Sequence, residues 1–123
     1  MKKSTLPAIL FMALFTMILT GTIFAQSPLT PGNLVIYRTG DGVGTLANTG
    51  NPVFLDEYTP AGVLVQSIPM PTTVSGANYQ LVASGTATSE GMMTRSADGQ
   101  YLVLTGYGAN IPYASRLVNT QGT

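Results

Sequence analysis

Apolar and polar residues alternate in blocks along the chain, and the first apolar block is longer than all later ones. Residues 6–19 form a nearly unbroken apolar run behind two lysines, and small residues follow it up to Ala25. A basic start, an apolar segment of this length and a small residue at its end are typical of a secretory signal peptide. We therefore expect a signal helix over residues 1–25, with cleavage between Ala25 and Gln26.

A transmembrane anchor is the alternative interpretation of the same run. A membrane span needs about 20 apolar residues, whereas this run is shorter and has no basic flank after it. The chain contains no Cys, so the lipoprotein route, which needs a Cys at the cleavage site, is excluded. The expected product is exported, secreted or held at the cell surface, and has no membrane span after cleavage.

Beyond a Pro-containing leader at residues 26–32, the apolar blocks are short and rich in β-branched and aromatic residues. The block at residues 34–38 has apolar side chains on both faces, which suits a strand buried on both sides. No apolar stripe has helical spacing, so we expect an all-β domain over residues 33–123 with almost no helix. The expected strands occupy residues 34–38, 53–58, 63–70, 92–96, 101–105 and 116–119, with a weaker apolar island at 79–83.

Two turn sequences predict antiparallel hairpins. Pro60 and Gly62 stand between the second and third strands, where Pro fixes φ and Gly tolerates a positive φ. The pair Asp98-Gly99 stands between two later apolar blocks, and Asp-Gly in such a setting is a strong hairpin signal. The domain is therefore expected to consist of antiparallel hairpins.

Composition narrows the classes of function. After cleavage three Arg remain against five carboxylates, a net charge of −2. Nucleic acids and anionic membrane surfaces call for clustered Lys and Arg, so neither is an expected partner. The chain also lacks His and Cys, which removes the commonest general base, thiol nucleophiles and Cys-ligated metals. No catalytic, cofactor or metal site is expected.

Most acidic residues have a structural interpretation. Asp56 and Glu57 form the only adjacent carboxylate pair, but neighbours on a strand point to opposite faces, so we interpret them as solubilising a hairpin. The Gly-rich residues 40–44 lack the Lys of a phosphate loop and the alternating oxygen ligands of an EF-hand loop, which favours a turn. Asp98 is explained by turn chemistry.

Four segments in order resemble a family of secreted bacterial β-propeller-like proteins without an assigned activity. They are Gly-Asn-Leu-Val-Ile-Tyr-Arg at residues 32–38, Pro-Val-Phe-Leu-Asp-Glu-Tyr-Thr-Pro-Ala-Gly at 52–62, Thr-Ser-Glu-Gly at 88–91 and Arg-Ser-Ala-Asp-Gly-Gln-Tyr-Leu-Val-Leu-Thr-Gly-Tyr at 95–107. The resemblance implies the first one to two blades of a propeller, and therefore that this chain is an N-terminal fragment. It carries over no catalytic residues.

In the propeller arrangement, residues 34–38, 53–58 and 64–68 are the second to fourth strands of one blade. Residues 92–96 and 101–105 begin the next blade, and 116–119 start its third strand. The first blade then lacks its inner strand, which the remainder of the chain would supply.

The same arrangement suggests a place for ligands. Glu90 would lie just before an inner strand, near the mouth of the central channel, and Arg95 further along that strand. Tyr107 and Tyr113 would lie on a loop near the same face, where an aromatic ring stacks on a sugar or shields the core. Glu90, Arg95 and Tyr107 are the weak ligand candidates.

Three functions stay open at this point. The first is a non-catalytic extracellular or cell-surface protein that binds a glycan or a protein, or acts as a scaffold. The second is a propeller-based polysaccharide hydrolase or lyase whose active site lies in later blades. The third is a small free-standing β-sandwich adhesin.

Overall fold

The computed structural model describes residues 26–119, and their regular structure is almost entirely β. Six strands and one short 3₁₀ helix follow one another along this part of the chain. Their bounds are β1 Leu34–Thr39, β2 Asn51–Tyr58, β3 Leu64–Pro69, β4 Val82–Ala83, β5 Met93–Arg95, β6 Leu102–Leu104 and the 3₁₀ helix Leu117–Asn119. The expected all-β class is confirmed for these residues, and so is the near absence of helix.

Strands β1, β2 and β3 form an antiparallel meander, and β4 pairs with the N-terminal end of β2. The connection between β2 and β3 is tight: the N–H of Gly62 donates to the carbonyl oxygen of Thr59 at 2.9 Å. Gly62 has a φ of 82°, in the left-handed region that glycine adopts without steric cost. The hairpin predicted from Pro60 and Gly62 is confirmed.

Strands β5 and β6 form a separate antiparallel hairpin. Its turn is closed by the N–H of Ser96, which donates to the carbonyl oxygen of Tyr101 at 2.9 Å. Asp98 Oδ1 accepts hydrogen bonds from Ser96 Oγ at 2.6 Å and from the N–H of Gln100 at 3.0 Å. The second predicted hairpin is confirmed, and Asp98 acts there through turn chemistry, as expected.

The three-stranded sheet has two different faces. Val53, Leu55 and Ile68 are buried on what we term the covered face, over which the leader and the β5–β6 hairpin lie. Tyr37 belongs to the same face, and its hydroxyl donates to the carbonyl oxygen of Thr105 at 3.1 Å. Successive side chains of a strand point to opposite faces, so the residues between these belong to the other side of the sheet.

We term that other side the open face. Leu34, Ile36 and Leu64 lie on it and are 57%, 49% and 51% exposed. In the register of the sheet Tyr58 lies between Leu34 and Leu64, so the three strands contribute one apolar row. Within residues 26–119, the strand at 34–38 is therefore not buried on both sides as expected, because the open face has no second layer there.

A second apolar cluster lies among the loops. Its buried members are Val82, Ala109 and Leu117, with Tyr107, Ile111 and Tyr113 packed against them. The N–H of Leu117 donates to the carbonyl oxygen of Asn48 at 2.9 Å, and that of Asn119 donates to Arg116 at 2.9 Å. The strand predicted at residues 116–119 is therefore wrong. The segment forms one turn of 3₁₀ helix instead, because Leu117 is drawn into the loop cluster.

The predicted signal helix at residues 1–25 and its cleavage site lie outside the described residues, apart from Gln26. The leader that follows has no regular structure apart from a turn, in which the N–H of Asn33 donates to the carbonyl oxygen of Thr30 at 3.1 Å, and it lies over one end of the covered face. Within residues 26–119, no helix has the length and apolar character needed to cross a bilayer.

Candidate functional site

Glu90 and Tyr107, two of the residues singled out from the sequence, are in contact. The Tyr107 hydroxyl donates to Glu90 Oε1 at 3.0 Å, and the N–H of Ser84 donates to Oε2 at 2.8 Å. Backbone pairing holds Tyr107 in place, since Val82 and Tyr107 exchange hydrogen bonds of 3.0 and 2.8 Å. Each oxygen of the Glu90 carboxylate is thus oriented by one donor of the fold.

The contact also determines which group donates. The hydrogen bond to Glu90 raises the pKa of Tyr107 above its usual 10, and burial raises it further. The phenol therefore keeps its proton at neutral pH and remains a donor to the carboxylate. Carboxylate oxygens accept several hydrogen bonds each, so Glu90 has acceptor capacity left for a ligand that carries hydroxyl or amide donors.

Two shallow depressions lie on either side of this pair. The smaller, of about 240 Å³, is lined by residues 89–92 and 105–107. The larger, of about 400 Å³, adds Asn48, Thr86 and Arg116 to the same Glu90 and Tyr107. Glu90 and Tyr107 thus form a ridge that lines both depressions, of which the smaller is mainly apolar and the larger is about equally polar and apolar. Such a surface suits a ligand that has both hydroxyl groups and apolar surface.

The third candidate, Arg95, lies elsewhere. It ends strand β5 and lines a cleft of about 650 Å³ between the leader, the covered face and the β5–β6 hairpin. Its guanidinium lies against Gly99, where an added Cβ would be 3.1 Å from Nη2. The structure therefore does not bring Arg95 together with Glu90. Tyr113, for which the sequence suggests either stacking on a sugar or shielding the core, packs against the loop cluster.

Glu57 forms a buried site that sequence reasoning missed. It is fully buried, and its carboxylate accepts three hydrogen bonds from neutral donors. Oε1 accepts from the N–H of Thr30 at 2.8 Å and from Asn33 Nδ2 at 2.7 Å, and Oε2 accepts from Gln66 Nε2 at 2.6 Å. The hydrogen bonds from Gln66 and from the Thr30 backbone are the largest causes that lower the pKa of Glu57 from 4.5 to about 2. Because Gln66 also donates to the carbonyl oxygen of Ser27 at 3.1 Å, this cluster fastens the leader to the sheet.

Asp56 is buried on the open face, where Arg38 covers it. Arg38 Nε lies 2.5 Å from Asp56 Oδ2, and Ser67 Oγ donates to Oδ1 at 2.5 Å. The hydrogen bond from Arg38 is the largest cause of the lowered pKa of Asp56. Asp56 and Glu57 do point to opposite faces, as predicted. The interpretation that they solubilise the hairpin is wrong, because both are buried and hold neighbouring segments together.

The remaining acidic loop behaves as predicted. Asp41 Oδ1 accepts hydrogen bonds from the N–H groups of Val43 at 2.9 Å and Gly44 at 3.1 Å, so residues 40–44 form a turn that its own carboxylate closes. Among residues 26–119, no three acidic side chains cluster in a way that could hold a metal ion.

No model of a known protein family, no characterised protein and no solved structure matches this chain. The likeness to secreted propeller-like proteins therefore rests on the four sequence segments alone. Function has to be inferred from the surfaces that residues 26–119 present.

Proposed function

We propose that the mature chain is a secreted or cell-surface protein that binds a ligand without catalysis, on a β-propeller-like framework. The observation that carries the proposal is the Glu90–Tyr107 ridge, in which a carboxylate held by the Tyr107 hydroxyl and the Ser84 N–H lines two depressions of mixed polar and apolar surface. The ligand class is a glycan, because sugar hydroxyls donate hydrogen bonds to carboxylates such as that of Glu90. A protein loop rich in Ser and Thr is the second ligand of this chemistry.

The order of the strands supports the propeller-like framework. Strands β1–β3 form one antiparallel sheet, and β5–β6 form a separate hairpin over its covered face. This is the order expected for the second to fourth strands of one blade and the first two of the next. The open face of β1–β3 would then receive a neighbouring blade, which explains its exposed apolar row.

A polysaccharide hydrolase or lyase is the alternative that the same surface allows. Glycoside hydrolysis uses two carboxylates placed on either side of the scissile bond. The adjacent pair Asp56 and Glu57 is committed to internal hydrogen bonds on opposite faces of the sheet. In this alternative both catalytic carboxylates therefore come from another part of the chain, and Glu90 serves in substrate binding.

Glycan binding is tested on the exported, processed protein with an array of bacterial and host polysaccharides. Glycans retained on the array are then titrated against Glu90→Gln and Tyr107→Phe, with Tyr101→Phe as the matched control, since Tyr101 is 69% exposed and lies in the other cleft. We expect both ridge variants to weaken binding about tenfold or more, as losing a hydrogen bond to a charged group costs about 1.5–3 kcal/mol, and the control to bind normally.

Three other results would point elsewhere. Release of reducing ends from a retained polysaccharide would support the hydrolase or lyase. Binding that all three variants retain would remove the ridge from the proposal. A monomer that unfolds in one sharp transition and shows no association would favour the free-standing β-sandwich adhesin.

A further inference from the structure

Strand β1 has one edge without a partner strand among residues 26–119. The N–H of Gly40 donates to the carbonyl oxygen of Pro52 at 2.7 Å, which sets the phase of hydrogen bonding between β1 and β2. Because this phase alternates along an antiparallel pair, the backbone groups of Val35, Tyr37 and Thr39 point away from β2. None of these groups hydrogen-bonds to another described residue.

The opposite edge of the sheet, on β3, is protected. The β2–β3 register shifts at a bulge near Tyr58, and bulges disrupt further pairing. Pro69 ends β3 at a position whose N–H would point outward, so the edge lacks a donor there. Such features are ways in which natural sheets prevent edge-to-edge association.

The edge of β1 has none of these features. Its sequence, Leu-Val-Ile-Tyr-Arg-Thr, contains no Pro, no Gly and no Lys, and the register between β1 and β2 is continuous. Its one charge, on Arg38, is paired with Asp56. Leu34 and Ile36 stand beside this edge and are about half exposed. An unprotected edge flanked by apolar side chains is suited to pairing with another strand.

We infer that two copies of this chain join edge to edge through β1, as an antiparallel pair centred on Tyr37. Outward-pointing residues face each other in such a pair: Val35 faces Thr39 of the second copy, and Tyr37 faces Tyr37. Each facing pair exchanges two backbone hydrogen bonds, so all the free groups of the edge are satisfied. The result is one continuous sheet through both copies.

The side chains favour this self-pairing. On the open face the register places Ile36 of one copy beside Arg38 of the other, so the two guanidinium groups do not stand directly opposite each other. Like charges directly opposite each other would destabilise the pair. The aliphatic part of Arg38 also covers apolar surface of Ile36. In this pairing the second copy takes the place beside β1 that the propeller arrangement gives to an inner strand from the remainder of the chain, so self-pairing and closure of the blade by the same chain exclude each other.

Substitutions on the open face separate this edge from other interfaces. Ile36→Lys places a cation directly beside Arg38 of the second copy, twice in each dimer, and should raise the dimer dissociation constant at least about tenfold. Leu64→Lys is the matched control: Leu64 is as exposed as Ile36 and lies on the same face, but on the protected edge. It should leave the dissociation constant within about twofold of the wild-type value.

The experiment uses the exported, processed protein in sedimentation velocity from about 1 μM to about 1 mM. Circular dichroism first verifies that both variants keep the wild-type fold. Hydrogen exchange resolved by residue gives the second measurement. The amides of Val35, Tyr37 and Thr39 should be protected only at concentrations at which the dimer forms, while those of Ile36 and Arg38, bonded to β2, are protected throughout.

Three results would overturn the inference. The first is a monomer over the whole concentration range. The second is a monomer in which the three outward amides are protected at every concentration, since a strand from the same chain would then cover the edge. The third is a dimer that Leu64→Lys dissociates as strongly as Ile36→Lys, because the interface would then be the open face and not the edge.

Discussion

The Arg38 guanidinium reaches across from β1 to Asp56 on β2, with Nε 2.5 Å from Oδ2 and Nη2 3.2 Å from Oδ1. It also stacks on the Phe54 ring, 4.3 Å from the ring centre. The two partners are unequally exposed: the Arg38 side chain is 35% exposed and that of Asp56 only 7%. Losing the cation therefore removes two hydrogen-bond donors from a buried carboxylate, whereas losing the carboxylate leaves a cation that water can solvate.

This inequality gives the first prediction. Arg38→Met should lower the free energy of unfolding by about 2–3 kcal/mol, because a buried charge without its partner costs more than a lost surface contact. Asp56→Asn keeps the shape of the side chain and should cost about 1 kcal/mol. Urea unfolding of both variants gives the two values. Arg95→Met, which removes an exposed cation, is the control and should change stability by less than about 0.5 kcal/mol.

Equal losses for Arg38→Met and Asp56→Asn would contradict this account. They would mean that the pair contributes only the exposed, screened attraction of a surface ion pair.

Local signals in the sequence were sufficient to predict the two hairpins. Pro60 with Gly62, and Asp98 with Gly99, act within a few residues, and their turns form as predicted. The strands on both sides followed from short apolar blocks, rich in β-branched and aromatic residues, that are bounded by such turns. The turn closed by Asp41 could be predicted for the same reason.

Features that depend on residues far apart in the sequence could not be predicted from the sequence. Glu57 is buried because Thr30 and Asn33, far away in the sequence, bring donors to it. Leu117 forms part of a 3₁₀ helix because its side chain fills a cluster with Val82 of β4 and Ala109 of the segment after β6. The contact between Glu90 and Tyr107 depends on the bridge from Val82 to Tyr107, whose partners lie far apart in the sequence. A single Glu, Leu or Tyr in the sequence does not indicate which distant residue it will contact.

The second prediction concerns the β5–β6 turn. Gly99 has a φ of 71°, and a β-branched residue strongly resists that conformation. Gly99→Val should lower the free energy of unfolding by about 1 kcal/mol or more. Gly99→Asn is the matched control, because Asn adopts positive φ more readily while adding a Cβ at the same place. Thermal unfolding of both variants should show the larger loss for Val. Equal losses would assign the cost to crowding of Arg95, which lies 3.1 Å from the added Cβ.

The third prediction concerns export. The small residue Ala25 follows the apolar run, so the protein recovered from the exported fraction should begin at Gln26, either as glutamine or cyclised to pyroglutamate. Intact-mass spectrometry of that fraction distinguishes these forms. A membrane-bound product that retains residues 1–25 would show that the apolar run is an anchor and not a cleaved signal.

The last prediction concerns Glu57 and acid stability. Its pKa in the folded protein is about 2, whereas an unfolded chain titrates this group at about 4.5. A carboxyl group with a depressed folded-state pKa stabilises the fold above the unfolded pKa, and that contribution is lost as the pH falls through the interval between the two values. The stabilisation is thus complete above about pH 4.5 and disappears towards pH 2.

Thermal unfolding from about pH 7 to about pH 2.5, for the wild type and for Glu57→Gln, measures this contribution. At neutral pH the variant should unfold at a lower temperature, because a neutral amide accepts weaker hydrogen bonds from Thr30 and Asn33 and presents an N–H₂ group towards Gln66. The difference between the two proteins should shrink as the pH falls below about 4.5, since protonation removes the same charge from the wild type.

Asp41→Asn, which alters an exposed turn carboxylate, should give a smaller difference at every pH. A Glu57→Gln difference that stays constant down to about pH 2.5 would show that shape, and not the buried negative charge, holds the leader on the sheet.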